Sequence, residues 1–349
     1  MTWLAPGIVP SARCRLPPGG ADGDALPHVG PLAAGILPAP VGSRVLRLLL
    51  IVNSSASSVT ARGRVVIQKA LSADHQVSMA ETNRRGHATR LAQGAAREGV
   101  DAVVCLGGDG TLNEVANGLA GTDTALAPLP GGSTNVFART IGLPNDPIEA
   151  TAALLHGLDA GNIDTVGLGS VNGRYFLFHV GLGFDAEVVH QVERRSSLKR
   201  YAGHPLFMYA GVTSWLRHYD RSRPRFALRF SDGAVVDDGY FSVVMNTNPY
   251  TYLGNRPFDV LPEATLDRGL AVLTFRNLTL PTLLGAASAA LKLGGDIRRR
   301  KHLDVRTDLT GLTVEGHGPF PYQVDGDHLG DTERLTFRHA PDVLRLVLP

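Results

Sequence analysis

The sequence predicts an α/β domain followed by a second domain of the antiparallel β-sandwich type. Between residues 45 and 156, apolar β-branched runs alternate with helical patterns, which is typical of a parallel sheet in a three-layer domain. From residue 163 onward, short β-rich runs are separated by frequent turns, as in a sandwich. We place the two domains at residues 44–162 and 163–349, and leave open a return of the C-terminal segment to the first domain.

The composition is that of an ordinary globular protein. Hydrophobic residues make up 44% of the 349 residues, and the net charge of +2 is carried by scattered Lys and Arg, which argues against nucleic-acid binding. Cys14 and Cys105 lie in different contexts, so we expect a reducing, cytoplasmic location. No apolar run reaches the length of a spanning helix, and the N-terminus lacks the apolar core of a secretory signal.

The elements of the first domain follow from local signals. Residues 1–43 are rich in Pro, Gly and Ala, and we expect a flexible extension there. Asp146 is the predicted N-cap of a helix that begins at Pro147. The predicted strands lie at residues 45–53, 76–82 and 102–106, and the predicted helices at residues 60–71, from residue 86 onward, and at residues 147–156.

The second domain is predicted as β-strands with two helical inserts. The insert at residues 281–293 is mostly apolar and is followed by a basic segment, residues 298–301. This pattern is consistent with a membrane-surface helix or with a packed helix that has a solvated basic end, and we favour the packed helix. The other insert lies at residues 205–219. The predicted strands lie at residues 165–168, 175–181, 225–230, 240–246, 270–275, 304–307 and 312–315.

Two glycine-rich loops, each after an apolar run and before a helical pattern, predict a phosphate site. The first contains Gly107, Gly108, Asp109, Gly110 and Thr111. Glycines permit positive φ and close approach of an anion to the main chain, and the following helix directs its positive end at the same place. Asp109 is better placed for Mg²⁺ beside the phosphate than for the phosphate itself. The alternative is a tight turn in which Asp109 is only a helix cap.

The second loop repeats this pattern after the next strand. It contains Gly131, Gly132, Ser133, Thr134 and Asn135. Two such loops in succession suggest that one nucleotide is held from two sides.

Together, these two loops and the preceding segment Gly86-His87-Ala88 resemble the catalytic domain of the diacylglycerol kinase family, whose relatives include bacterial lipid kinases, sphingosine kinases and ceramide kinases. The resemblance covers about residues 45 to 349. It implies an NAD kinase/diacylglycerol kinase-like first domain, ATP and Mg²⁺ as cofactors, and transfer of the γ-phosphate to a lipid hydroxyl such as that of diacylglycerol. It also implies transient contact with the inner face of the membrane.

The resemblance assigns roles to individual residues. Asp325, in the turn Asp325-Gly326-Asp327, corresponds to the general base, although this turn alone reads as a hairpin. Asp267 matches an aspartate that binds a structural Mg²⁺, and Glu114 is a contact to ribose or metal or a residue that favours the helix dipole. His87 lies near the nucleotide or makes local bonds at a helix start. The implied metal ligands are Asp109, Asp267 and Asp327. The implied nucleotide contacts are Asn53, Ser54, Thr82, Gly107, Gly108, Gly110, Thr111, Glu114, Gly132, Ser133, Thr134, Asn135 and Asp327.

The sequence departs from the family pattern at three positions. Ser54 replaces a proline, Val136 an aspartate and Asp327 a glutamate. These departures motivate one alternative, a catalytically degenerate nucleotide-binding homologue. The other alternative is an NAD kinase-like enzyme, which also uses a Gly-Gly-Asp-Gly-Thr turn. The sequence decides neither the acceptor lipid nor whether the chain forms a homodimer.

Overall fold

The structure, a computed structural model of the chain, describes residues 44–193 and 222–349. The predicted extension at residues 1–43 and the predicted helix at residues 205–219 lie outside the described residues, as does Cys14.

The first half of the described chain builds a buried parallel sheet. Its strands are β1 (Arg47–Val52), β2 (Gln76–Glu81), β3 (Ala102–Gly107) and β4 (Ala125–Pro130), in the order β2-β1-β3-β4. Every residue of β3 and β4 is buried, as the continuous apolar runs predict. Neighbouring side chains point into separate cores on the two faces, Cys105 into one and Leu106 into the other.

The helices of this half begin where the sequence supplies a cap. The Thr60 hydroxyl accepts the N–H of Gly63 at the start of α1, and the Asp146 carboxylate accepts those of Ile148 and Glu149 at the start of α5, which confirms the predicted N-cap. Helix α5 continues four residues beyond the predicted end. The helices are α1 (Ala61–Asp74), α2 (His87–Arg97), α3 (Asp109–Leu119), α4 (Val136–Thr140) and α5 (Pro147–Ala160).

Antiparallel strands follow, and they confirm the predicted fold class. The order β14-β13-β10-β7-β15-β16 continues into the parallel strands, and β5, β6, β8 and β9 pair at its side. The strands are β5 (Ile163–Val171), β6 (Arg174–Phe176), β7 (His179–Gly183), β8 (Phe226–Phe230), β9 (Val235–Gly239), β10 (Phe241–Met245), β11 (Thr251–Leu253), β12 (Arg256–Phe258), β13 (Leu270–Phe275), β14 (Leu303–Leu309), β15 (Gly311–Val324) and β16 (Asp327–Val347). Strands β11 and β12 form a separate hairpin.

One predicted strand is divided in the structure. Residues 175–181 form the end of β6 and the start of β7, and the main chain between them is not part of either strand. The reason is a side chain from far along the chain, because the Asp325 carboxylate accepts the N–H groups of Leu177 and Phe178. This interruption positions the candidate site.

Strand β15 is much longer than the predicted strand at residues 312–315, and β16, for which no strand is predicted, links the two halves. They pair with each other near the Asp325-Gly326 turn, and β16 then pairs with β5. Near its end, Leu346 of β16 pairs with Leu126 of β4 in parallel. At its other end, β16 begins beside the start of α3, since a Cβ built on Gly110 would lie 3.6 Å from the carboxylate oxygens of Asp327.

Among the described residues of the second half, two helices interrupt the strands, α6 (Phe184–Glu193) and α7 (Leu280–Ala290). Helix α7 packs Ala286 and Ala290 into the core formed by β10 and β13, and a short 3-10 turn, Ile297–Arg299, follows it. Within residues 44–193 and 222–349, no helix combines the length and the apolar character needed to cross a bilayer.

Candidate active site

The two glycine-rich loops lie against each other at the carboxyl ends of β3 and β4. The N–H of Gly131 donates to the carbonyl of Gly107 over 2.8 Å. A Cβ on Gly131 would lie 2.8 Å from the Gly107 Cα, and a Cβ on Gly132 would lie 2.8 Å from the Gly108 Cα. None of these four glycines has positive φ. Their lack of a side chain therefore serves the contact between the loops and not a left-handed backbone.

Asp109 joins the two loops. As the first residue of α3, it accepts the N–H of Val136 over 3.0 Å and that of Phe137 over 3.2 Å, at the start of α4. It thus caps a helix, but that helix is the one after the second loop rather than its own. Val136, which replaces the family's aspartate, contributes a main-chain donor here.

Polar side chains hold both loops in place. The Asn53 amide donates to the Thr111 hydroxyl over 2.9 Å, and the Ser58 hydroxyl donates to the Gly132 carbonyl over 2.9 Å. Asn135 adopts a left-handed conformation, and its Oδ1 accepts the Gly132 N–H over 2.7 Å. Asn145, which the sequence did not single out, accepts from the Asn135 amide. Asn53 and Asn135 therefore shape the loops.

Four predicted nucleotide contacts have different surroundings. Ser54 and Ser133 are exposed, and Thr134 is half-buried on the second loop. The main-chain N–H of Thr82 continues the ladder to Val52 just beyond β2. Ser133 and Thr134 therefore present hydroxyls at the loop surface, while Thr82 marks the edge of the sheet.

Glu114 makes an unexpected contact. Its two carboxylate oxygens accept the N–H groups of Gly86 and Ala88, over 2.8 and 3.1 Å, at the start of α2. It stabilises the positive end of that helix and not of α3, in which it lies. His87, between these two donors, accepts the N–H of Asn83 over 3.3 Å, as the local interpretation predicted.

Asp325 is buried at the hairpin turn between β15 and β16. Its φ of 47° and that of Gly326, 81°, are those of a tight two-residue turn, so the hairpin interpretation is correct for the backbone. Four donors meet its carboxylate: the N–H groups of Leu177, Phe178 and His179, and the Asn113 amide, at 2.7 to 3.1 Å. Burial raises the pKa of Asp325 to about 6, against the effect of these hydrogen bonds.

Asp327 lies two residues further and faces the start of α3. Its side chain is 27% exposed, and a Cβ built on Gly110 would lie 3.6 Å from each of its oxygens. Arg85 and Arg174 approach this carboxylate to 3.4 and 3.7 Å. Arg174 also donates to Oδ1 of Asn113 over 2.9 Å, and Asn113 in turn binds Asp325.

The two arginines were missed by the sequence reasoning. Arg85 directly precedes the Gly86-His87-Ala88 segment, and Arg174 is the first residue of β6, directly after the tight turn that follows β5. Neither position carries a motif, so only the folded chain brings them together. They give the first turn of α3 a positively charged border, which suits a phosphate ligand.

A buried polar cluster lies behind Asp325. The Asp185 carboxylate accepts the Gln323 amide over 2.7 Å and the Tyr250 hydroxyl, and burial raises the pKa of Asp185. The Tyr250 ring stacks on His179 with centroids 4.2 Å apart, and burial lowers the pKa of His179 to about 3. These groups fix the segment 177–185 around the candidate site.

Asp267 lies apart from this group, on an exposed turn before β13, where hydrogen bonding from the Thr265 hydroxyl lowers its pKa. In the described part of the chain, no three His, Cys, Asp or Glu side chains form a metal-binding group. Mg²⁺ commonly uses only one or two carboxylates together with waters and substrate phosphates. Asp109 and Asp327 flank the start of α3, and this donor set fits such an ion.

The fold and the paired loops define a kinase of the nucleotide-binding α/β type. A model of the diacylglycerol kinase catalytic domain matches residues 47–171. The protein of Pseudomonas aeruginosa (strain UCBPP-PA14) named "Probable lipid kinase YegS-like" is 30% identical over 307 residues, covering 86% of this chain and 94% of that protein. The chain therefore belongs to the diacylglycerol kinase catalytic domain family, as the sequence resemblance predicted.

One further relative agrees with this membership, and one solved structure shares the fold. The diacylglycerol kinase of Bacillus subtilis (strain 168) is 38% identical over 150 residues, which are 42% of this chain and 48% of that enzyme. The crystal structure of a diacylglycerol kinase from Bacillus anthracis str. Sterne superimposes with a TM-score of 0.63 at 21% identity, covering 88% of this chain and 98% of the other. The latter similarity supports the fold alone.

Proposed function

We propose that this protein is an ATP-dependent lipid kinase that phosphorylates a lipid hydroxyl, with diacylglycerol as the acceptor and phosphatidic acid as the product. The observation that carries the proposal is the start of α3, which is tied to both glycine loops and faces Asp327 between Arg85 and Arg174. Family membership supports the reaction class, and the names of the relatives support diacylglycerol.

The nucleotide binds with its phosphates at the two loops. Main-chain N–H groups at the start of α3, together with the positive end of that helix, attract phosphate oxygens. Gly107, Gly108, Gly110 and Thr111 line this approach. Ser133 and Thr134 contribute hydroxyls from the second loop, while Asn53 and Asn135 keep both loops in shape. Because phosphoryl transfer depends on positioning and charge neutralisation, this rigid frame is the main catalytic device.

The acceptor oxygen attacks the γ-phosphorus while the bond to the bridging oxygen of ADP breaks, and a carboxylate takes the hydroxyl proton. The resemblance gives this role to Asp325. We favour Asp327, because the four donors around Asp325 match the four lone-pair sites of a carboxylate. In this assignment Asp325 positions the turn, and Asp327 reaches the reacting atoms.

Mg²⁺, when bound with the nucleotide, neutralises charge on the transferring phosphate. Asp109 is the carboxylate that would hold it near the start of α3. The predicted metal role of Asp327 is an alternative to its role as the base. A separate structural Mg²⁺ at Asp267 stays a prediction. We further propose that residues 44–162 bind the nucleotide, that residues 163–349 bind the lipid, and that the enzyme works from the cytoplasm at the inner face of the membrane.

The test is transfer of labelled γ-phosphate from ATP to a panel of lipids in mixed micelles with Mg²⁺. We expect labelled diacylglycerol from the wild type. We expect a loss of about 10²- to 10⁴-fold in turnover for Asp327→Asn, the usual contribution of a general base, with ATP binding retained.

Asp325→Asn separates the two carboxylates. If this variant is folded, binds ATP and is inactive while Asp327→Asn is active, Asp325 is the base. Phosphorylation of NAD without any lipid product would establish the NAD kinase-like alternative. ATP binding without transfer to any acceptor would establish the degenerate homologue.

A further inference from the structure

Helix α7 presents an uncharged, leucine-rich face to solvent. No charged residue occurs between Thr279 and Leu291. The described residues contain four exposed leucines, and all of them belong to this helix or its immediate surroundings: Leu253 at 38%, Leu280 at 47%, Leu284 at 62% and Leu293 at 64% exposure. A surface helix normally turns charged or polar side chains outward, so an exposed apolar face of this kind indicates an interaction site.

The β11–β12 hairpin contacts the C-terminal end of this helix. The Arg256 guanidinium donates to the Leu291 carbonyl over 2.7 Å, and the Asp259 N–H donates to the Ala290 carbonyl over 2.9 Å. These bonds fix the hairpin that carries Leu253 at the C-terminal end of α7. We call Leu253, Leu280, Leu284, Leu293 and the basic segment 292–301 the α7 surface.

Basic residues border the leucines. Lys292, Arg298, Arg299 and Lys301 are exposed, and Arg300 is half-buried. Three of the five bases form ion pairs, with Asp259, Glu263 and Asp296. The summed charge of these five bases and three carboxylates is still positive. Exposed ion pairs of this kind are weak, so other anions can replace the carboxylates.

Arg300 fixes the basic segment against the helix. A Cβ on Gly285 would overlap the Arg300 guanidinium, and a Cβ on Gly295 would lie 2.8 Å from its Nη2. The apolar face and the basic border are therefore parts of one packed surface.

The α7 surface is also connected to the candidate active site. Arg139 of α4 donates to the Gly254 carbonyl over 3.0 Å, and its guanidinium lies 3.7 Å from the centre of the Tyr252 ring. Helix α4 begins directly after the second glycine loop and is capped by Asp109. The hairpin therefore links the α7 surface to the phosphate loops through direct contacts.

We propose that the α7 surface docks the protein on a bilayer that contains anionic lipid. In interfacial binding, leucines usually enter the boundary of the acyl chains while neighbouring Lys and Arg side chains contact the headgroups. The choice of a bilayer over a protein partner rests on the proposed function, because a two-tailed acceptor stays in the membrane, and on the positive border. Docking holds the candidate active site near the membrane surface.

The test is sedimentation of the full chain with vesicles, either of phosphatidylcholine alone or with added phosphatidylglycerol. We expect binding to the anionic vesicles that weakens with added salt, because headgroup attraction is screened. Leu280→Ser/Leu284→Ser should bind at least about tenfold more weakly, in line with the lost apolar contact. Val65→Ser/Val66→Ser, on the exposed side of α1, is the matched control and should bind like the wild type.

A second measurement separates this proposal from the proposed function. Phosphorylation of a short-chain, water-soluble diacylglycerol should be equal in the wild type and the Leu280→Ser/Leu284→Ser variant, while phosphorylation in vesicles falls only in the variant. Inactivity of the wild type on every lipid would overturn the proposed function, whereas vesicle binding would still test docking. Unchanged vesicle binding of the Leu280→Ser/Leu284→Ser variant would overturn docking. If the wild type is a dimer and this variant is a monomer that still binds vesicles, the α7 surface is a dimer interface and docking is overturned as well.

Discussion

The Asp109 carboxylate lies 3.0 Å from the main-chain nitrogen of Val136, and this hydrogen bond ties the first glycine loop to the second. Both residues begin helices, Asp109 that of α3 and Val136 that of α4. The relative position of the two helix starts therefore depends on one acidic side chain, which also lies where Mg²⁺ is expected.

Asp109→Asn tests this link. The amide keeps one acceptor oxygen but places an NH₂ group against a main-chain N–H, so we expect a loss of about 1–2 kcal/mol in the free energy of unfolding. ATP affinity should fall at the same time, because the two glycine-rich loops are no longer held in the same relative position. Urea unfolding and nucleotide titration in the presence and absence of Mg²⁺ measure the two effects. A variant with wild-type stability and a changed Mg²⁺ requirement would assign Asp109 to the metal alone.

Gly131→Ala tests the contact between the loops. The added Cβ would lie 2.8 Å from both the nitrogen and the Cα of Gly107, main-chain atoms that cannot move aside cheaply. We expect a loss of about 1–3 kcal/mol in stability, and weaker ATP binding.

Gly94→Ala is its control. Gly94 lies within α2, where a Cβ meets nothing within 4 Å, so the same substitution should raise stability by up to about 1 kcal/mol through helix propensity. Thermal unfolding distinguishes the two variants by the sign of the change. Equal stability of both would show that the loop contact tolerates a side chain.

Glu114→Gln tests the cap of α2. The neutral amide offers one oxygen to two main-chain donors and removes the charge from the helix start, so we expect a loss of about 1 kcal/mol in stability. Glu149→Gln, an exposed residue in the first turn of α5 where Asp146 is the cap, should change stability much less. The KM for ATP should stay near the wild-type value, and a large rise with unchanged stability would restore the predicted nucleotide contact.

The order of strands and helices in residues 45–160, the Asp146 cap and the meeting of the two glycine loops could be predicted, because each follows from local pattern or from the geometry of parallel sheets. The partners of the acidic side chains could not. Glu114 binds main-chain donors 26 and 28 residues away, and Asp325 binds donors 146 to 148 residues away. Such pairs depend on how side chains meet in the folded core, on which a single sequence carries no periodic signal. The same holds for Arg85 and Arg174 beside Asp327.

Asp325 should make stability depend on pH in a defined direction. Burial raises its pKa from 3.8 to about 6 in the folded chain, so the fold favours the protonated form. The stabilisation from this group is complete below about pH 4 and is lost as pH rises through about 6. Asp325→Asn cannot titrate, so the excess stability of the wild type over this variant should fall by up to about 3 kcal/mol between pH 4 and pH 7. Urea unfolding of both proteins at the two pH values measures this difference. The other titrating groups affect both proteins equally, so their contributions cancel. A constant difference would mean that the four hydrogen bonds hold the carboxylate ionised throughout, with its charge compensated inside the turn.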